Sequence, residues 1–481
     1  MQTDVMDNRL LGWYQKRLAE RHDESYKILA GQRLCGSQVI QQPGVVPAVF
    51  VVANKETSRY FGVTHCHSPW ACPRCSAVVM AQKGMDIACA LDALEKYKNQ
   101  QAFMMTLTLP HTAGMTCKDT WTILQKTWRR FSARSTAYRA KQRYILKNNK
   151  GERGAKGGAL GVGKAGSEKI YCKGYNPFGD FKTTLEITYH IRIYEFTWGI
   201  NAWHPHIHAL FWCPKKNWDK IIDFESKLLD EWWRCARIET FKYFVSRRPN
   251  NDRKELEEFI DYLFRDGNKY PKTGHRSLFI SKTSDGKVRK QESSHYVTGW
   301  SSDKELTSRF KNTKLPGHYT PLGLLDTAYK LWDEFPEQSK EFLNLYIEYS
   351  LATKGNRRVQ WAARTDIHKI IAQWKQTEKF REVLKKKFTA EAKGGKFHVV
   401  CWLSKQDWYT ICYLDNTNAG NVNIRATILE LALLEDGRRK IAEFLRQYDI
   451  QPGNDDSELG KAVLPTIQVI ENKIFENTIA A

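Results

Sequence analysis

The sequence predicts an α+β fold built on an antiparallel sheet, and three observations carry that expectation. Arg192-Ile193-Tyr194-Glu195-Phe196-Thr197-Trp198 and Trp203-His204-Pro205-His206-Ile207-His208-Ala209-Leu210 read as two strands around the turn-like Gly199-Ile200-Asn201-Ala202, which makes a hairpin. Phe103-Met104-Met105-Thr106-Leu107-Thr108-Leu109 alternates, with Phe103, Met105, Leu107 and Leu109 inward and Thr106 and Thr108 on the other side. Later segments carry apolar residues at helical spacing, as Leu256, Phe259, Ile260, Leu263 and Phe264 do. Strands followed by such helices predict a sheet with the site on one face and helices packed on the other.

Length and composition set the bounds. A chain of 481 residues has room for two to four domains. Its 75 Lys and Arg against 53 Asp and Glu give a net charge of +22 and a pI near 9.4, which favours a polyanionic partner such as nucleic acid. No apolar run reaches the roughly 20 residues of a membrane span. The charged N-terminus, with Asp4, Asp7, Arg9 and Lys16, has no signal-peptide pattern, so a cytosolic protein without a membrane partner is expected. In that setting eleven cysteines point to reduced thiols and metal ligation rather than a disulfide scaffold.

Taken in order, residues 1–34 form an arm with a weak amphipathic helix through Leu10, Leu11, Trp13, Tyr14 and Leu18. Residues 35–100 form a module in which Cys72-Pro73-Arg74-Cys75 has zinc-knuckle spacing, and a tetrahedral structural Zn²⁺ site takes Cys35, Cys66, Cys72 and Cys75. His65 or His67 can replace one of the first two. A helix from Ala77 to Leu94 follows.

Residues 101–275 hold the chemistry. With Trp198 opposite Trp203, Glu195 falls opposite His206 and Ile193 opposite His208, which gathers Glu195, His206 and His208 on one face. Two imidazoles and a carboxylate leave coordination positions open, as a catalytic divalent cation requires. His204 shares that face as a further ligand or a phosphate contact. A basic tract from Lys126 to Lys164 begins on a helix with Arg129, Arg130 and Arg134 facing phosphate, and continues into a Gly/Lys-rich insertion, 147–175. Another helix is expected from Lys215 to Arg237. In the helix from Lys254 to Arg265, Glu258, Asp261, Tyr262 and Arg265 lie opposite the apolar stripe, with Glu258 one turn before Tyr262. Residues 276–361 follow, and then a mostly helical region, 362–481, expected to serve nucleic-acid recognition, oligomerisation or contacts with other proteins.

The two histidines around one bulky apolar residue, His206-Ile207-His208, resemble the metal-binding signature of the HUH endonucleases. Tyr262-Leu263-Phe264-Arg265 is similar to the tyrosine motif of their rolling-circle replication initiators, with Arg where Lys is common. The threonine strand through Thr106 and Thr108 is similar to the first motif of those initiators. Segments around Lys304, His318 and Glu348 to Trp361 resemble downstream blocks of bacterial plasmid Rep proteins.

The resemblance implies a ferredoxin- or RRM-like HUH sheet and a single-tyrosine enzyme of the bacterial cytoplasm that nicks and rejoins single-stranded or extruded origin DNA. It implies Mg²⁺ or Mn²⁺ at Glu195, His206 and His208, Tyr262 as nucleophile and Arg265 as its basic partner. It further implies Glu258 as the activator of water in termination, DNA contacts through Thr106, Thr108 and His204, and a host helicase and polymerase as partners. Alternatives are a single-strand transposase or relaxase of the same chemistry and a non-catalytic zinc-containing DNA-binding regulator. Transposases often carry a first tyrosine where Glu258 stands, and relaxases commonly place the tyrosine before the histidines.

Overall fold

The computed structural model describes residues 3–41, 47–132, 177–200, 202–247, 253–264, 280–282, 288–290, 296–297, 317–361, 366–378, 398–417 and 423–453. Arg134, Arg265 and the basic insertion 147–175 lie outside them. In chain order the elements are α1 (Thr3–Ala19), β1 (Ala48–Ala53), β2 (Ser58–Phe61), α2 (Pro73–Lys98), β3 (Gln100–Thr108), α3 (Cys117–Ser132), α4 (Pro177–Thr184), β4 (Tyr189–Gly199) and β5 (Ala202–Pro214). There follow α5 (Glu225–Arg247), α6 (Arg253–Leu263), β6 (Ile280–Lys282), β7 (Val288–Lys290), β8 (Tyr296–Val297), α7 (Pro321–Leu331), α8 (Pro336–Thr353), β9 (Val359–Trp361) and α9 (Ile367–Lys375). The chain continues through β10 (His398–Ser404), α10 (Lys405–Thr417), α11 (Ile424–Leu431) and α12 (Gly437–Arg446).

The larger sheet is antiparallel throughout, in the order β8-β7-β6-β3-β5-β4-β9. Its centre, β3-β5-β4, alternates as strand geometry demands. Phe103, Met105, Leu107, Tyr194, Phe196, Ile207, Ala209 and Phe211 enter the largest apolar core with Trp121, Trp128, Trp232 and Tyr346 from α3, α5 and α8.

The opposite face corrects the expectation of helices on one side only. Ala102, Met104, Tyr189, Ile191, Ile193, Leu210 and Trp212 are buried beneath Ile87, Leu91 and Leu94 of α2 and Ile367, Ile370 and Ile371 of α9. One half of the sheet is therefore covered twice. The apolar cover stops where the same strand face changes to Thr106, Thr108, Glu195, His206 and His208.

Local chemistry explains several boundaries. Cys72 caps α2 by accepting from the Cys75 amide, Pro73 opens the helix, and Asn99 ends it in the left-handed region with φ 49°. The hairpin turn falls where expected: Gly199 pairs with Ala202, and Ile200 of the turn is largely in solvent. Gly199 has a steric reason, since a Cβ there would stand 2.8 Å from the His318 ring. The helix expected from Lys215 instead begins as two 3-10 turns, Lys215–Lys220 and Ile222–Phe224, and becomes α-helical only in α5.

A second sheet joins strands from residues 35–100 to one from residues 362–481. Its order is β10-β1-β2, with Val49 opposite Leu403 and Val51 opposite Cys401. Its inner face packs against Trp408, Ile411, Ile424, Ile428, Ile441 and Leu445 of α10 to α12. The C-terminal region therefore completes a module whose other strands come from the start of the chain. The arm joins it too, since α1 packs on α11 and Arg9 pairs with Glu430. Among the described residues no helix is long and apolar enough to cross a membrane.

Candidate active site

The side-chain cluster follows from strand register. β4 and β5 pair with Trp198 opposite Trp203, Glu195 opposite His206 and Ile193 opposite His208, as the sequence predicts. β3 lies on the other side of β5, with Thr106 opposite His208 and Thr108 opposite His206. Glu195 Oε2 is 2.8 Å from His206 Nε2 and 2.9 Å from His208 Nε2. The ligand atoms of all three lie within 4.8 Å of one another. Glu195 and His208 are buried and His206 is half-buried. A buried carboxylate held by two imidazoles fits a divalent cation, because one carboxylate oxygen and two ring nitrogens already point at a common centre.

Two neighbours refine the expected roles. Thr106 Oγ1 lies 3.0 Å from His208 Nδ1, so the hydroxyl expected to meet DNA is bonded to a candidate ligand. His111 was given no role from sequence, yet its ring centroid is 4.9 Å from that of His204, which is 5.6 Å from His206. Its Nδ1 is 3.0 Å from the Leu109 carbonyl, and burial lowers its pKa although that carbonyl works the other way. The Leu109 amide reaches the Pro205 carbonyl at 3.4 Å, which carries the chain after β3 alongside His204. Carried on from the Thr108–His206 pair, the register puts Pro110 level with His204 and His111 one residue further on, and that proximity is the signal that finds it.

α6 presents the candidate nucleophile. Leu256, Ile260 and Leu263 are buried in the large core, with Phe259 and Phe264 packed on it, while Glu258 and Tyr262 are exposed, Tyr262 at 57%. Trp232 of α5 donates to the Thr108 carbonyl at 2.6 Å, and the adjacent Trp233 sets its ring 5.5 Å from Phe264. Through these contacts α5 links the end of α6 to the strand end beside His206. Among the basic candidates, Arg129 is exposed. Arg130 Nε meets Glu239 at 2.5 Å, and the pair, largely buried, joins α3 to α5.

Cys35, Cys66, Cys72 and Cys75 form the second cluster, all four sulfurs within 4.8 Å of one another. Cys35 Sγ is 3.4 Å from Cys75 Sγ and 3.7 Å from Cys72 Sγ. Zinc with Zn–S bonds of about 2.3 Å needs sulfur separations of about 3.8 Å, so this donor set fits it. The ring of His65 stays outside, its Nδ1 4.0 Å from Cys35 Sγ. Hydrogen bonds from Cys66, Cys72 and Cys75 pull the Cys35 thiol well below its ordinary range. Glu348 of α8, half-buried and given no chemical role from sequence, accepts from the Cys117 amide at 2.7 Å and from Trp203 Nε1 at 3.2 Å. It ties the downstream region to the hairpin under the site.

No family model matches the chain, and no solved structure matches it. Among curated proteins it is similar to Protein rep of Streptomyces lividans, with 26% identity over 327 residues. The matched region covers 63% of this chain and 63% of that relative's length.

Proposed function

We propose that this protein is a plasmid replication initiator of the HUH type, which nicks and rejoins single-stranded or extruded origin DNA through a covalent tyrosine link. The observation that carries the reading is the convergence of Glu195, His206 and His208 on one centre at the end of the sheet. The likeness to Protein rep and the net charge of +22 support it.

Mg²⁺ or Mn²⁺ held by Glu195, His206 and His208 would draw charge from the non-bridging oxygens of the scissile phosphate. The remaining work belongs to side chains. The Tyr262 phenolate oxygen forms a bond to phosphorus as the bond to the 3′ oxygen breaks, so the DNA gains a 5′-phosphotyrosine link and a free 3′-hydroxyl. The phenolic proton leaves to solvent and the departing 3′ oxygen takes one up. A phenol titrates near pH 10, about three units above neutrality, so a guanidinium such as that of Arg265, three positions on in sequence, would favour the reactive form if brought near it. The phosphotyrosine keeps the energy of the broken diester, and reversal by another 3′-hydroxyl rejoins the strand. Glu258, exposed one turn before Tyr262, activates water in termination, a role its spacing and exposure support. His204, His111 and Arg129 line the approach of the backbone, a host helicase and polymerase act on the primer, and Zn²⁺ at the four cysteines is structural.

The test is to incubate the protein with single-stranded origin DNA and Mn²⁺, then identify the DNA-linked peptide by mass spectrometry. The reading expects the peptide holding Tyr262, and no adduct from Tyr262→Phe although DNA is still bound. An adduct retained by that variant removes Tyr262 from the reaction.

A further inference from the structure

We propose that Thr106 is a positioning residue of the metal centre, whose hydroxyl holds the His208 ring in place both with and without a bound cation. The proposal rests on the metal-site reading above. Both nitrogens of this buried ring are engaged: Nε2 lies 2.9 Å from Glu195 Oε2 and Nδ1 lies 3.0 Å from Thr106 Oγ1. The contact is built into the sheet, since Thr106 and His208 are direct partners in the β3–β5 ladder.

A neutral imidazole carries one N–H, and which nitrogen bears it is set by the partners. Without a cation, Nε2–H donates to the carboxylate, Nδ1 presents its lone pair, and the threonine must donate. With a cation on Nε2, the proton lost there is replaced by one on Nδ1, exchanged through solvent, and the threonine must accept. A hydroxyl does either by rotating its O–H bond. A carboxylate or carbonyl at the same place can only accept, which would favour the ligating tautomer alone. Threonine thus lets the cation enter and leave without moving the ring, and a ligand that stays put is what orients a phosphate reproducibly. The ordinary reading, a β-branched residue filling strand space, makes no use of the hydroxyl. Valine preserves that shape and removes the oxygen.

The experiment titrates Mn²⁺ into wild-type protein, Thr106→Val and Thr106→Ser, following free Mn²⁺ by electron paramagnetic resonance. Thermal melts without metal check that each variant is folded. Outer partners of this kind are worth roughly 10- to 100-fold in metal affinity. The expected result is a loss of that size in Thr106→Val and near-wild-type affinity in Thr106→Ser. A folded Thr106→Val that binds Mn²⁺ as wild type does, or a Thr106→Ser as weak as the valine variant, overturns the proposal while leaving the metal site standing. Wild-type protein that binds no Mn²⁺ overturns the metal site itself, and the proposal with it.

Discussion

Glu195 illustrates how little sequence is needed to gather a candidate metal site when a strand supplies the geometry. A single oxygen of this buried side chain meets two imidazoles, so each histidine also keeps a carboxylate from lying uncompensated in the interior. His206→Ala and His208→Ala should each lower metal-dependent cleavage at least about 100-fold, in line with outer limits for losing a ligand's support, with DNA binding retained. Cleavage assays with and without chelator check this, and full activity of the double variant in chelator would refute the site. Glu258→Gln should still nick but accumulate protein–DNA adduct, and unchanged release would exclude it from termination. The triad was legible because the strand period is two and one cross-strand tryptophan pair fixes the register. The bond from Thr106 to His208 was not, because it joins residues 102 positions apart and depends on which strand lies beside β5. The pairing of Arg130 with Glu239 was hidden for a related reason: a charge on a helix does not reveal whether another helix supplies its partner.

Elements were readable in proportion to how local their causes are. α6 matches its apolar stripe, and the β4–β5 hairpin matches its pairing, though both strands run further than alternation alone suggested. β10 was missed, since its partner β1 lies ~345 residues earlier and no hairpin signal accompanies it. The helices after β10 are fixed by a buried ion pair, Arg425 Nε to Asp415 Oδ2 at 2.5 Å. Asp415 also accepts from the Ile424 amide at 2.6 Å, and Arg425 reaches Gln15 of α1 at 2.9 Å. Removing one member of such a pair typically costs about 3–5 kcal/mol, because the other charge remains buried. Asp415→Ala should destabilise the protein by about that much in denaturant titrations. A change below about 1 kcal/mol would mean that the module tolerates a lone Arg425.

At the scale of the whole molecule, the chain closes on itself: β1 and β2 belong with β10, and the four cysteines stand where α1, β2 and α2 meet. Stripping a structural metal from that junction should lower the melting temperature, and restoring Zn²⁺ should recover it; a melt indifferent to chelator would remove zinc from the architecture. The net charge of +22 predicts that affinity for single-stranded DNA falls steeply with salt, with a log–log slope of about −0.7 for each phosphate contacted. Binding that ignores salt between about 50 and 200 mM would contradict a backbone-led interface.

The pairing of β1 with β10 also bears on how the protein is made. At about 5–20 residues per second, the ribosome needs roughly 20–70 s to deliver the late strand after the early one. Throughout that interval the nascent chain carries an open ladder edge, which invites chaperones or misassembly. Premature termination before β10 would leave the edge open permanently, so truncated translation products should be cleared by proteolysis rather than accumulate.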